Sequence, residues 1–131
     1  IVGALMVPVI AKATVSANEV RCANNLKQSA NFIFVWMREK SKKFDYPDKI
    51  GGELWKFLKK EFPNEFPNEI LTCPVSGKSY RGPADKLPKI PESDPIGMCE
   101  HCGNVLLKSF AVVKYPPGSE AYKEALRKTK E

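Results

Sequence analysis

Apolar residues follow two different patterns along the first third of the chain. Residues 1–11 read Ile-Val-Gly-Ala-Leu-Met-Val-Pro-Val-Ile-Ala and carry no charge. From Arg21 onward, apolar residues recur at steps of three or four, the spacing of one face of an α-helix. These residues are Cys22, Leu26, Ala30, Ile33 and Met37. The patterns predict one long helix over 1–44, apolar on all sides over 1–20 and amphipathic over 21–44.

The long helix should end before Pro47, because the residue that precedes a proline is biased towards extended conformations. Residues 53–60 then place Leu54, Trp55 and Leu58 on one helical face, which predicts a short helix packed against the long one. The aromatic residues in this helix could instead form a platform for a ligand. Core packing is the simpler interpretation of such an apolar stripe.

The next stretch alternates turn-forming residues with single aromatic residues. The sequence Glu-Phe-Pro-Asn occurs twice over 61–68, and its prolines and asparagines exclude a regular helix or a central strand. We expect a loop that is held in place by Phe62 and Phe66. Residues 78–81 are compatible with a strand, whereas the four prolines within 83–95 predict an irregular loop over the sheet.

The last third of the chain combines strand signals with a final helix. Two β-rich runs, 104–108 and 110–115, surround Ser109 and predict a hairpin. A Pro-Pro-Gly sequence then ends the sheet, and Ser119 is placed to cap a helix over 120–128.

Length and composition limit the chain to one compact domain and an outlying helix. With 131 residues, of which 43% are hydrophobic, the chain has too little material for a second independent core. We therefore predict an α+β architecture with a long helix over 1–44 and a small domain over 45–131. This domain would carry a short antiparallel sheet and a C-terminal helix.

The charge pattern argues against nucleic-acid binding. The formal net charge is +6, but eight basic residues are interleaved with four acidic ones between Arg38 and Lys60, as in a solvated mixed-charge surface. Catalysis is not indicated either. The chain has one histidine, and its sequence lacks a nucleophile elbow, a phosphate-binding glycine loop and carboxylates paired by spacing. We predict that it is not an enzyme.

Four cysteines leave two kinds of chemistry open. They are Cys22, Cys73, Cys99 and Cys102. In a small secreted domain such residues form disulfides, each of which typically stabilises the fold by about 2–4 kcal/mol. Three connectivities are possible, and the sequence does not select among them.

Metal binding is the competing interpretation of the same cysteines. Cys99 and Cys102 have the Cys-x-x-Cys-Gly spacing of a zinc knuckle and precede a predicted hairpin. The sequence that begins at Cys73 resembles a knuckle in which Ser76 replaces the second cysteine. A tetrahedral zinc site would use Cys73, Cys99, Cys102 and either His101 or Cys22.

Three motifs carry a resemblance to a known family. They are the apolar helix with Pro8 that leads into Arg-Cys-Ala-Asn-Asn-Leu-Lys-Gln over 21–28, the Cys-Pro turn followed by Tyr-Arg-Gly-Pro over 80–83, and Gly-Asn-Val-Leu over 103–106 after a histidine. This combination resembles type IV pilin-like proteins. It is most similar to the prepilin-type subunits, related to type II secretion pseudopilins, of planctomycetes and their relatives. One departure is the turn 108–110, where the family usually has Asp-Gly.

The resemblance implies a structural filament subunit that lies in the bacterial inner membrane before assembly and in a periplasmic or extracellular cell-surface filament afterwards. Its partners would be further copies of itself and a pilus or secretion assembly machinery. The residues implied in packing at the filament core are Ile1, Val2, Leu5, Met6, Val7, Pro8, Val9 and Ile10. The resemblance further implies that about fourteen residues precede Ile1, which would lengthen the apolar run enough to cross a bilayer.

For the cysteines, the resemblance implies a disulfide between Cys73 and Cys99, and no cofactor is expected. The alternative function is a zinc-ribbon-type binding module. Cys73, Cys99 and Cys102 would bind zinc, and the basic surface would contact nucleic acid.

Overall fold

The computed structural model of the chain describes the backbone of residues 2–131 and the side chains of residues 17–131. Its elements are helix α1 (Val2–Glu39), helix α2 (Glu53–Glu61), strands β1 (Gly82–Pro83), β2 (Pro95–Met98), β3 (Asn104–Leu107) and β4 (Val112–Lys114), helix α3 (Glu120–Arg127) and strand β5 (Thr129–Lys130). The predicted α+β class is confirmed, because a long N-terminal helix is combined with small antiparallel sheets and a C-terminal helix.

Helix α1 buries the face that the sequence pattern predicts. Four residues of this face, Cys22, Leu26, Ala30 and Ile33, are completely inaccessible to solvent, and Met37 is nearly so. They belong to the main hydrophobic core, together with residues of α2, of the loops and of the sheet. The amphipathic half of α1 is therefore one wall of this core.

The end of α1 lies earlier than predicted. The helix ends at Glu39. At this end, the amides of Lys40 and Ser41 both donate to the carbonyl of Trp36, at 2.8 and 3.1 Å, so the regular pattern of one amide per carbonyl stops there. The hydroxyl of Ser41 then accepts a hydrogen bond from the amide of Asp45 at 2.8 Å. A local bond between side chain and backbone thus competes with continuation of the helix, and the predicted end at residue 44 is wrong.

The short helix α2 packs into the core as predicted. Its residues Leu54, Trp55 and Leu58 are buried. The indole nitrogen of Trp55 donates to the carbonyl of Arg81 at 2.9 Å, so its polar atom is satisfied inside the protein. The structure therefore assigns this tryptophan to the core and not to a ligand platform.

The repeated Glu-Phe-Pro-Asn sequence forms a turn that is anchored by its two aromatic residues. Phe62 and Phe66 are both buried, and their rings pack against Phe32 of α1 with centroid separations of 5.5 and 4.8 Å. The predicted loop is confirmed.

The sheets differ from the prediction in three places. Strands β2, β3 and β4 form a three-stranded antiparallel sheet. The sequence did not predict β2, because it begins at the end of the predicted loop over 83–95. The predicted strand over 78–81 is reduced to isolated bridges at Ser79 and Arg81, and regular pairing begins only at Gly82. There β1 pairs with β5, a two-residue strand that the sequence analysis did not predict.

The hairpin β3–β4 is confirmed, and the turn at its tip contains a residue in an uncommon backbone conformation. Phe110 has a φ angle of +72°, which is the left-handed conformation that glycine adopts most easily. Its amide donates to the carbonyl of Leu107 at 2.8 Å. A phenylalanine therefore occupies a left-handed turn position in this chain.

The C-terminal helix α3 begins as predicted. The hydroxyl of Ser119 accepts a hydrogen bond from the amide of Tyr122 at 3.2 Å, which caps the helix. After the helix, Arg81 holds the last strand in place, because its guanidinium donates to the carbonyl and the hydroxyl of Thr129 at 2.7 and 3.0 Å.

Polar contacts fasten α1 to the domain along much of its second half. The side-chain amide of Asn104 donates to the carbonyl of Glu19 at 2.9 Å, and the Glu19 carboxylate forms an ion pair with Lys114. Further along, the indole of Trp36 donates to the carboxylate of Glu61 at 3.0 Å. Helix and domain are thereby joined at both ends of the buried face.

Some predictions concern residues outside this description. The side chains of the eight residues implied in filament packing, which lie between Ile1 and Ile10, are not among those described. Within the described part of the chain, none of the helices combines the length and the apolar composition that a membrane crossing requires.

A glycine variant at Gly103 tests the turn that precedes β3, and a variant at Gly118 is its control. Both Gly103 and Gly118 have left-handed φ angles, of +79° and +88°. A Cβ atom at Gly103 would lie 2.1 Å from the carbonyl oxygen of Tyr115, whereas Gly118 faces open space. We expect Gly103→Ala to lower the free energy of unfolding by about 3 kcal/mol or more, and Gly118→Ala by about 1–2 kcal/mol. Urea unfolding in the presence of a chelator measures both, and equal losses would contradict the structure.

Candidate metal centre

Four cysteines from separate parts of the chain meet in the core. Cys22 lies on α1, Cys73 follows the 3₁₀ turn Asn68–Leu71, and Cys99 and Cys102 lie between β2 and β3. All four are buried, and their sulfur atoms lie within 4.8 Å of one another. Among the described side chains, this is the one group of three or more potential metal ligands gathered in this way.

Three of the sulfurs come from two turns of the same design, over 73–77 and 99–103. In each turn, the amide of the first cysteine donates to the carbonyl five residues later, at 2.9 Å. The glycine amide four residues after each cysteine donates back to the carbonyl of that cysteine, at 2.8 and 3.0 Å. Gly77 and Gly103 have φ angles of +73° and +79°. Both sequences therefore fold as the knuckle-type turn that the spacing predicts.

Backbone amides are directed at the sulfur atoms of both turns. The amide of Val75 donates to Sγ of Cys73, and the amide of Cys102 donates to Sγ of Cys99, each at 3.4 Å. Such outer contacts orient the sulfur and stabilise its negative form. In the first turn, Ser76 stands where the second turn has Cys102, so this turn provides only one sulfur.

Helix α1 supplies the fourth sulfur. The hydroxyl of Tyr80 lies 3.4 Å from Sγ of Cys22 and 3.3 Å from its carbonyl oxygen. The side-chain amide of Asn25 in turn donates to this hydroxyl at 3.3 Å. Cys22 is therefore held by a buried polar contact that connects α1 with the segment after the first turn.

One sulfur–sulfur separation can be compared directly with that of a tetrahedral ion. With Zn–S bonds of about 2.3 Å, neighbouring sulfurs of a tetrahedron are about 3.8 Å apart. The sulfurs of Cys73 and Cys102 are 3.6 Å apart. All four cysteines are free thiols in the structure, and the implied disulfide between Cys73 and Cys99 stays a prediction.

The structure distinguishes between the two candidates for a fourth ligand. His101 is exposed, although it lies within the second turn, and the group of gathered ligands does not include it. Cys22 completes the group instead. The cysteine on the helix therefore replaces the histidine in the candidate set.

The protonation of the cluster is uneven. Hydrogen bonding from the thiol of Cys99 lowers the pKa of Cys22 to about 5 against the opposing effect of burial, with further help from Tyr80. Hydrogen bonding to Cys22 raises the pKa of Cys99, and burial raises that of Cys102 to about 12. Burial also raises the pKa of Tyr80, which keeps its hydroxyl as a donor. These shifts favour ionisation of Cys22 before that of Cys99 and Cys102.

A surface cavity of about 640 Å³ borders the cluster. Tyr80, Cys99 and His101 contribute to its wall.

Comparison with models of known protein families, with curated protein sequences and with solved structures finds no match to this chain. The resemblance to pilin-like proteins therefore depends on the three sequence motifs alone.

The sequence predicted Cys73, Cys99 and Cys102 as ligands of one metal site, but it did not identify the residues around them. Tyr80 and Asn25, which hold Cys22, were missed because they come from distant parts of the chain. One signal was available for Cys22, since it lies on the predicted buried face of the helix, whereas a cysteine on the opposite face would not reach the core.

The depressed pKa of Cys22 predicts a pH dependence in the reduced, metal-free protein. An unfolded thiol has a pKa of about 8.5, so the folded state holds fewer protons between pH 5 and this value. The contribution of Cys22 to stability should therefore be fully present above about pH 8.5 and should be lost as the pH falls through about 5.

The measurement is the difference in free energy of unfolding between wild type and Cys22→Ser as a function of pH. Titrating groups that are not coupled to Cys22 behave alike in both proteins and cancel in this difference, and the coupled groups Cys99 and Tyr80 have raised pKa values. A difference that stays constant between pH 5 and 8.5 would show that Cys22 is not the titrating group.

Proposed function

We propose that the chain is a structural subunit of a type IV pilus-like or type II secretion pseudopilus-like filament. The observation that carries this proposal is the division of α1 into two parts. The helix has 38 residues and is thus about 57 Å long, whereas its first described contact with the domain is made at Glu19. The apolar sequence lies in the part that precedes this contact.

The second half of α1 is already occupied. Cys22, Leu26, Ala30 and Ile33 are buried against the domain, and Trp36 is tied to Glu61. This half therefore holds the domain on the helix, as a filament subunit requires of its outer surface.

The apolar half needs a different cover. A run without charge over residues 1–11 is unfavourable in water and must be buried against lipid or protein. The same segment in other copies has matching composition, so exchange of lipid for neighbouring helices preserves hydrophobic burial. Contacts of one copy with the next in such an arrangement are heterologous and do not close, which yields an open helical polymer.

This proposal places the protein in the bacterial inner membrane before assembly and in a periplasmic or cell-surface filament afterwards. The resemblance motifs over 21–28 and 103–106 support the same assignment. The partners are other copies and an assembly machinery, and no catalytic role is proposed.

One observation favours a second candidate, a zinc-ribbon-type module that binds nucleic acid. The gathered cysteines suit a metal, as that function needs. Against it, Lys114 and Lys128 are paired with Glu19 and Asp94, and basic residues are interleaved with acidic ones between Arg38 and Lys60. We therefore favour the filament subunit.

A charge introduced into the apolar segment tests the filament proposal. We expect Ile10→Lys to abolish incorporation into filaments, because a lysine there must be desolvated at the filament core. Asn64→Lys adds the same charge at an exposed position of the domain and should leave incorporation unchanged. Electron microscopy of surface material from the source cells, with antibody labelling of this chain, measures both.

The fold of each variant is checked by circular dichroism of the purified full chain. If native cells carry no labelled filaments, or if Ile10→Lys assembles as well as Asn64→Lys, the proposal fails. Specific retention of nucleic acid in a mobility-shift assay would favour the second candidate.

A further inference from the structure

We infer that Cys22, Cys73, Cys99 and Cys102 bind a single Zn²⁺ ion, and that this ion fastens the long helix to the globular domain. The inference does not depend on filament formation, because it follows from the buried sulfur cluster alone.

The size of the cluster selects one ion. Sulfurs bound to one tetrahedral zinc are about 3.8 Å apart. The four sulfurs lie within 4.8 Å of one another, so the most distant pair must close by about 1 Å when the ion binds. A cluster of several iron atoms and bridging sulfides needs a wider arrangement of cysteines.

The ligand set and its burial select zinc and a structural role. Four thiolates in a tetrahedron are typical of closed zinc sites, in which no coordination position remains for substrate. All four cysteines are at most 3% exposed. A single iron ion fits the same ligand set chemically, and the experiment below distinguishes the two metals.

The surroundings offset the negative charge of such a centre. Zinc with four thiolates carries a net charge of −2, which is unfavourable in a core without donors. Here the amides of Val75 and Cys102 donate to two of the sulfurs, and the hydroxyl of Tyr80 lies against a third. The side-chain amide of Asn25 supports this hydroxyl. Donors of this kind usually raise metal affinity.

The origin of the ligands defines what the ion connects. The two turns over 73–77 and 99–103 supply three sulfurs from the domain, and α1 supplies one. Within the domain, the ion joins two loops that are separated by strands β1 and β2. Through Cys22, it joins both loops to the helix. Loss of the ion therefore loosens the helix from the domain as well as the loops from each other.

Metal content is the first test. The full chain, purified under reducing conditions and without added chelator, should contain one zinc ion per chain when its metal content is measured by inductively coupled plasma mass spectrometry. Replacement of zinc by Co²⁺ should give the visible absorption of a tetrahedral thiolate site. Cys22→Ser should lose stoichiometric zinc, whereas His101→Ala and Ser76→Ala, which change neighbouring residues of the two turns, should retain it.

Tyr80→Phe provides a milder variant that keeps all four ligands. It removes the hydroxyl that contacts Cys22 and should weaken zinc binding by about tenfold or more in competition with a chromophoric chelator. An unchanged affinity would refute the role assigned to this hydroxyl.

The fastening role has its own readout. Removal of zinc from the wild-type chain should increase hydrogen exchange in the buried half of α1 and in both turns, and zinc addition should reverse this increase. Exchange in α3 should change less, because this helix supplies no ligand and meets the second turn through the hydrogen bond of Tyr122 to the carbonyl of Glu100 at 2.7 Å.

Several results would overturn the inference. They are a zinc-free protein that does not bind Co²⁺, stoichiometric iron, disulfide-linked peptides among the four cysteines in the native protein, or zinc loss in His101→Ala equal to that in Cys22→Ser. Unchanged exchange in α1 after zinc removal would overturn the fastening role. Absence of filaments would leave all these measurements unaffected, so the two proposals fail separately.

Discussion

The architecture depends on how the amphipathic half of α1 is seated on the domain. The buried stripe of α1 completes the main hydrophobic cluster, which includes Trp55, Phe66 and Leu106. Domains of this size bury a modest fraction of their surface, so the removal of one wall is severe. Polar contacts at Glu19 and Trp36 then fix the two ends of the interface. A second, smaller cluster packs α3 against the sheet.

The two turns that contain cysteines order the loops of the domain. The domain has little regular structure between α2 and β2, and its chain there is rich in proline. Loops of this kind are costly to order by hydrophobic contact alone. Hydrogen bonds within each turn order them locally, and the meeting of their sulfurs in the core orders them relative to each other.

Local patterns were predictable from the sequence, whereas pairings between distant segments were not. The buried face of α1, helix α2 and the cap of α3 at Ser119 follow from periodicity and capping rules that act within a few residues. Strand β2 was missed because Pro95 and Gly97 are unfavourable in strands when read alone. In the structure a Cβ atom at Gly97 would lie 2.9 Å from the ring of Trp55, so packing from another element determines this residue.

The cysteine site shows the same division. The spacing of Cys99 and Cys102 and the likeness of the first turn to a knuckle were visible in the sequence. The choice of Cys22 over His101 was not, because it depends on which residue of α1 faces the turns. The contact of Tyr80 with Cys22 spans 58 positions of sequence and has no local signature.

The meeting of Cys22 with the three domain sulfurs also determines the register of the helix. A shift of α1 by one residue moves a side chain by about 1.5 Å along the axis and turns it by about 100°, which would take the sulfur out of its place. Each copy of the protein thus carries its domain at the same position along α1 and in the same rotational setting. Copies that associate through this helix would therefore present their domains with one fixed axial and angular offset.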